Sequence, residues 1–240
     1  MWLKKTVAVV IGITKKQDSI FNIIQEIDST GHIDEILVIG NSVSENTLKQ
    51  IQKTRARFIK INKKGLGRSI KTGLDRTKVD LVIVTDSKGT FKGKDISKLL
   101  SYSQDFDTVF GSRTHVSLIG KDSGMNFVRR IVDDIFGKII SILFLSSNLT
   151  DVGCSFRLTN KKGWKKVKKE CKSNSDLFLT EWLIMAAKNK VRFIEIPVNF
   201  TAPKLGLSNN NFFYLTFKAI VILFLILKTW ILSFVVRIFK

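Results

Sequence analysis

The stretch Leu81-Val82-Ile83-Val84-Thr85-Asp86-Ser87-Lys88-Gly89-Thr90 decides how the rest of the chain reads. Four apolar residues run into an acidic and polar corner closed by glycine. A strand buried on both faces of a parallel sheet has this continuous apolar character, and open α/β folds bind ligands beyond the carboxyl ends of such strands. Asp86 is the side chain delivered to that edge. Lys88 stands two positions on, within reach of the same ligand.

The flanking segments extend the pattern. Val7 to Ile11 reads as a first buried strand; the apolar run is too short for a signal peptide, and no small-residue cleavage site precedes Lys15 and Lys16. Ile20, Ile23, Ile24 and Ile27 recur at helical spacing and predict a helix from about Asp18 to Ser29, ended by Gly31. Ile33 to Gly40 is a second strand, followed by a helix to about Lys53 that Ser44 is placed to cap. Phe58 to Ile61 is a short third strand. Asn62 to Ser69 is a basic, glycine-containing loop opening a helix to about Thr77.

Beyond the central stretch, a helix is predicted over Lys92 to Tyr102 and a strand over Thr108 to Arg113. Residues 124–148 read as one long, mostly apolar helix or a helix pair. Asp151 to Arg157 is irregular and polar, and Lys161 to Lys172 is a lysine-rich solvated helix face. Asp176 to Lys188 is a helix and Val191 to Val198 a strand. The alternation predicts an α/β fold with a mostly parallel sheet flanked by helices. No linker or repeat interrupts residues 1–208, which form one domain; residues 209–240 differ in kind.

In that tail, Ala219 to Leu227 is apolar throughout, and Thr229 to Val236 follows after the single charge of Lys228. The run nearly reaches the length a spanning helix needs, but Lys228 would lie near mid-bilayer, at a cost of about 3 kcal/mol. Three readings stay open: a spanning or re-entrant helix, a helix lying in the membrane interface, and a buried soluble helix. The same segment offers a face for homo-oligomer formation.

The chain has 240 residues with 40 Lys+Arg against 20 Asp+Glu, a net charge of +20, so a polyanionic partner is expected. Nucleic acid is the poorest candidate, because there is no recognition helix or aromatic-basic platform and the apolar tail does not suit it. Two cysteines, Cys154 and Cys171, without a CxxC pair or Cys/His cluster, argue against structural zinc and for reduced thiols in a cytosolic compartment.

Together, in order and spacing, Val9-Val10-Ile11, Ile36 to Ile39, Gly65-Leu66-Gly67 with Thr72-Gly73-Leu74, the Asp86 corner, Gly111-Ser112-Arg113, Asp151 to Arg157, Glu181 and Glu195-Ile196-Pro197-Val198 carry a resemblance. The chain resembles family 2 glycosyltransferases of the GT-A fold, specifically the polyprenyl-phosphate glycosyltransferases related to dolichyl-phosphate mannose synthase. The resemblance implies transfer of a sugar from a nucleotide diphosphate sugar to a polyprenyl or dolichyl phosphate, usually with Mg²⁺ or Mn²⁺. It implies membrane association, with the catalytic domain on the cytoplasmic face and residues 124–148 as interfacial helices.

By that resemblance, Asp86, Lys88 and Glu181 are the catalytic candidates. Gly40, Asn41, Gly65, Gly67, Arg68, Asp86 and Lys204 are expected to bind the donor, and Arg113, Arg129, Arg130, Arg157 and Ser208 the acceptor phosphate. Guanidinium forks suit phosphate oxygens, and an ionised phosphate needs no strong general base. Asp151 is expected to pair with Arg157.

The departures concentrate on the donor side. The turn after the first strand, Gly12-Ile13-Thr14-Lys15-Lys16, lacks the family's acid. Gly40 and Asn41 stand where paired aspartates are usual, and Asp86-Ser87-Lys88 replaces Asp-x-Asp, so Asp86 alone remains as metal ligand. One carboxylate among cations is a poor Mg²⁺ site. Two functions follow: a transferase in which the Lys88 ammonium, assisted by Lys63, Lys64 or Arg68, replaces the metal, or a catalytically inactive GT-A-like pseudoenzyme that binds lipid or a partner.

Overall fold

The computed structural model describes residues 1–13, 19–121, 123–203 and 212–238. Lys204 and Ser208, and most of the turn at Thr14 to Lys16, lie outside the described residues.

Seven strands form one sheet: β1 (Val7–Ile13), β2 (Glu35–Gly40), β3 (Arg57–Lys60), β4 (Leu81–Asp86), β5 (Thr108–Ser112), β6 (Arg157–Asn160) and β7 (Phe193–Pro197). Their order is β3-β2-β1-β4-β6-β5-β7. All pairings are parallel except those of β6, which runs antiparallel between β4 and β5. The helices are α1 (Ile20–Asp28), α2 (Glu45–Gln52), α3 (Leu66–Arg76), α4 (Asp95–Tyr102), α5 (Phe127–Leu143), α6 (Lys161–Val167), α7 (Phe178–Lys188) and α8 (Phe212–Ile238). The fold is the expected mixed α/β arrangement.

The period-two alternation of the strands builds two apolar layers. Val7, Val9, Ile11 and Ile13 of β1 pack with Ile83 of β4 against α1 and α4. Val10 of β1, Leu37 and Ile39 of β2 and Val84 of β4 face the opposite way, toward α3, α5, α6, α7 and α8. β1 is therefore buried at all seven positions. Ser44 caps α2 as expected, its side chain accepting the Thr47 N–H at 3.2 Å.

Residues 127–143 form one helix rather than a pair, and β6 is a strand the sequence reading passed over. Because β6 is antiparallel, the segment leading into it, Asp151 to Phe156, starts from the edge where β4 ends. α7 lies between the sheet and α8 and is buried along nearly its whole length.

α8 docks on the domain through one stripe. Ile222, Ile226 and Thr229 are buried, and Ala219, Leu225 and Trp230 pack against the same core. Lys218 is tied to Asp176 at 2.5 Å. The outer face exposes Phe217, Ile220, Leu223, Phe224, Leu227, Ile231 and Leu232, with Lys228 also exposed. Thr216–Val235 is long and apolar enough to cross a membrane. α5 repeats the theme with Phe127, Val128, Ile131, Val132 and Ile135 exposed.

Candidate active site

Asp86 ends β4 and turns its carboxylate back on its own corner. Oδ1 accepts the Lys88 backbone N–H at 3.0 Å, and Oδ2 accepts the Thr90 hydroxyl. Gly89 completes the turn at φ 69°, a left-handed conformation that glycine adopts without strain. Asp86 is half-buried, whereas Lys88 is exposed and has no acid partner among the described residues.

The residues here do not fit the divalent cation that the resemblance implies. Both Asp86 oxygens already accept hydrogen bonds, and an ammonium stands at the second ligand position. Among the described residues no group of three or more His, Cys, Asp or Glu side chains is arranged to hold a metal ion. A hard dication takes a shell of oxygen ligands, and this corner supplies one carboxylate.

The other donor-side candidates are bound up in the scaffold. At the end of β2, Asn41 donates its side-chain amide to the Ile61 carbonyl at 2.9 Å, and the Gly40 carbonyl accepts from Ile61 N–H. Gly65 and Gly67 serve packing. A Cβ on Gly65 would lie 2.2 Å from the Asn174 carbonyl oxygen, and one on Gly67 would lie 2.5 Å from the Phe178 Cβ. This close approach lets Gly67 N–H and Arg68 N–H donate to Ser175 and Asn174 carbonyls, so these two amides at the start of α3 are not offered to a phosphate. The expectation that both glycines open the backbone to the donor is corrected accordingly.

Arg68 points into a cleft on the β3 edge with Lys60, Lys63, Thr72 and Arg76, and its Nε is buried without a partner. The end of β3 lies three strand spacings, about 14 Å, from the end of β4. Glu181 is buried in the first turn of α7 and accepts the Ser173 N–H at 2.8 Å, which closes the loop that carries Asn174 and Ser175. Its carboxylate therefore helps to hold that loop in place.

The acceptor-side candidates separate into two groups. Arg157 is fully buried, and its guanidinium donates to the carbonyls of Cys154, Leu179 and Val152. It lies over the rings of Phe110 and Trp182 at 4.9 and 5.5 Å. Burial pulls its pKa down to about 10, which leaves it charged at neutral pH. Asp151 is not its partner. Arg157 is a structural cation, solvated by carbonyls and aromatic faces, and no part of it is open to a ligand.

Asp151 belongs instead to Arg113. One carboxylate oxygen accepts Arg113 Nε at 2.7 Å and the Arg113 backbone N–H at 2.8 Å; the other accepts Nη2 at 2.7 Å. Burial pushes the Asp151 carboxyl up, but the Arg113 charge and these bonds outweigh it and leave the pKa lowered. Gly153 is needed beside this pair, because a Cβ there would stand 3.1 Å from Arg113 Nη2.

Glu195 on β7 holds the same loop, accepting the Thr150 N–H, the Thr150 hydroxyl and the Asp151 N–H at 2.6, 2.8 and 2.9 Å. Burial, then the charge of Asp151, push its pKa up to about 8.

Arg129 and Arg130 open α5 after Asn126, which caps the helix by accepting the Arg129 N–H at 2.9 Å. Neither guanidinium has an acid within salt-bridge distance among the described residues, and Arg130 Nε is buried without a partner. Asp133, one turn on, lies 3.6 Å from Arg113 Nη2, and its Oδ2 makes no hydrogen bond. The sequence reading missed Asp133, Thr90 and the part played by Glu195. The i, i+4 spacing of Arg129 and Asp133 on α5 was the available signal for the first.

The comparisons agree with this architecture. A crystal structure of glucosyl-3-phosphoglycerate synthase from Mycobacterium tuberculosis with Mn²⁺, UDP and phosphoglyceric acid superposes with a TM-score of 0.71 at 13% identity, covering 95% of this chain and 79% of that one. The same enzyme with Mn²⁺, UDP and glucosyl-3-phosphoglycerate gives 0.69 at 12% identity, covering 94% and 80%. A further mycobacterial protein gives 0.71 at 15% identity, covering 94% and 74%. At such identities the likeness is one of fold. The sequence profile of glycosyl transferase family 2 matches residues 15–167, more than half of the chain, from the first turn through the Asp86 corner to α6. The chain belongs to glycosyl transferase family 2.

Proposed function

We propose that this protein moves a sugar from a nucleotide diphosphate sugar to a polyprenyl phosphate at a cytoplasmic membrane face, without a divalent metal. The observation that carries the reading is the pair Arg129 and Arg130, which have no acid within salt-bridge distance among the described residues and stand at the head of a helix whose outer face is apolar. Such a helix suits a lipid phosphate, with the arginines taking the headgroup and the apolar stripe meeting the acyl region. The outer face of α8 extends the apolar surface.

In this reading a phosphate oxygen of the lipid attacks the anomeric carbon. The bond from that carbon to the diphosphate breaks, and the nucleoside diphosphate leaves with the electron pair. The exposed Lys88 ammonium stands beside the departing charge, and preorganised positive charge there lowers the barrier. Asp86 keeps the corner folded so that Lys88 faces the sheet edge, and its remaining lone pairs can accept sugar or ribose hydroxyls. Transfer of labelled sugar to polyprenyl phosphate in detergent, in the presence of excess EDTA, tests the reading. Strict dependence on Mn²⁺ would overturn the metal-free part.

One observation favours a second reading. Asp86, Asn41 and the first amides of α3 are engaged within the protein. A GT-A scaffold that binds lipid phosphate but no donor would look like this. Retained lipid-phosphate binding with no thermal shift by any nucleotide sugar would select it.

A further inference from the structure

Asp133 is an acid one turn on from Arg129, at the head of α5 where the preceding reading places an anion. It is nearly buried, its Oδ2 makes no hydrogen bond, and the nearest cation, Arg113 Nη2, stands at 3.6 Å and already serves Asp151. The charged groups facing Asp133 are Arg113 from β5, Asp151 from the loop before β6, Arg129 on its own helix and Lys218 from α8. Asp151 engages Nε and Nη2 of Arg113, and Nη1 makes no hydrogen bond among the described residues. A phosphate held by Arg113 Nη1 and Arg129 would therefore meet the Asp133 carboxylate as well.

Two anionic groups in one desolvated site do not both stay ionised, and a phosphate monoester is close to dianionic at neutral pH. A single proton removes the conflict. A protonated carboxyl also changes role, from an acceptor that repels phosphate oxygens to a donor that bonds one. We infer that Asp133 takes up a proton when a phosphate monoester enters beside Arg129, and donates it in a hydrogen bond to a phosphate oxygen. The inference rests on the acceptor reading of the head of α5. Burial, and after it the charge of Asp151, already raise the Asp133 carboxyl in the free protein, in the direction that uptake requires. Asp133 thus acts as a positioning and selecting group: it favours an anion that can accept a hydrogen bond and makes binding weaken as pH rises.

Calorimetry of the full chain in detergent micelles with farnesyl phosphate as probe tests this, at about pH 7.5 in buffers of different ionisation enthalpy. The wild type is expected to take up about one proton per lipid, and its affinity to fall about tenfold per pH unit above neutrality. Asp133→Asn is expected to bind with no proton uptake and an affinity that no longer falls with pH. Binding by the wild type without proton uptake overturns the inference whatever the variant does, and unchanged uptake in Asp133→Asn overturns it too. Failure of the wild type to bind farnesyl phosphate at any pH overturns the acceptor reading and the inference together.

Discussion

The corner at Asp86 and the head of α5 treat their polar groups in opposite ways. At the corner, a carboxylate, a side-chain amide and two helix-start amides are engaged by the protein itself. At the head of α5, Arg130 Nε and Asp133 Oδ2 are buried without hydrogen bonds, and Arg129 has no acid within salt-bridge distance, among the described residues. A buried polar atom left unsatisfied costs about 1–3 kcal/mol. Folding alone gives no reason to keep several of them together, whereas a ligand that supplies the missing partners does. The contrast is that the Asp86 corner is closed by its own hydrogen bonds, whereas the head of α5 leaves charged groups for a ligand to complete.

Arg157 offers the hardest test of that division, because it lies on the acceptor side yet is fully engaged. Arg157→Ala should strip three carbonyls of their donor and leave a void between Phe110 and Trp182, costing about 3–5 kcal/mol in denaturant unfolding. A variant with native stability that loses only acceptor binding would place Arg157 with the open arginines and break the comparison. Arg129→Ala should do the reverse, with unfolding nearly unchanged and kcat/KM for polyprenyl phosphate down about 10–100-fold, the scale of one charge-assisted hydrogen bond.

On the donor side, Lys88→Ala should lower transfer about tenfold with little change in KM for the lipid. Lys88→Asp sharpens the point, since it restores a second carboxylate. We expect that variant to be nearly inactive in EDTA and to regain activity with Mn²⁺; activity unaffected by either would show that the corner does not face the diphosphate.

Glu195 gives an effect graded with pH. Its folded pKa of about 8 stands above the ordinary 4.5. Its stabilising contribution is therefore full below about pH 4.5, declines as pH rises, and is gone above about pH 8, at no more than about 1.4 kcal/mol per unit. Glu195→Gln should flatten that slope in thermal melts. Smallest is Ser44→Ala, at about 1 kcal/mol for one lost cap, with no effect on either site.

The strands that make the sheet were readable because β1, β2 and β4 are continuous apolar runs bounded by turns. β6 was not, because Arg157-Leu158-Thr159-Asn160 is only four residues long with Leu158 its one apolar residue, between an irregular loop and a lysine-rich helix. Its place is set by neighbours on both sides, which a local pattern does not carry. The Asp86 corner announced itself, but the Thr90 and Lys88 N–H bonds that occupy its carboxylate depend on turn geometry. Arg157 misled for a related reason: arginine beside a predicted ligand loop reads as a ligand, and only the tertiary structure reveals carbonyls and rings around it. Asp133 was passed over because residues 124–148 read as a mostly apolar helix or helix pair.

Glu195 reaches back 45 residues to hold Thr150, and β7 closes the sheet only after both. In the order of synthesis, β1 to β4 can pair once their own segments have emerged, whereas the loop carrying Asp151 waits for a strand made much later. A nascent chain halted between α6 and β7 would therefore hold β1 to β4 paired beside an Asp151 loop that Glu195 does not yet anchor.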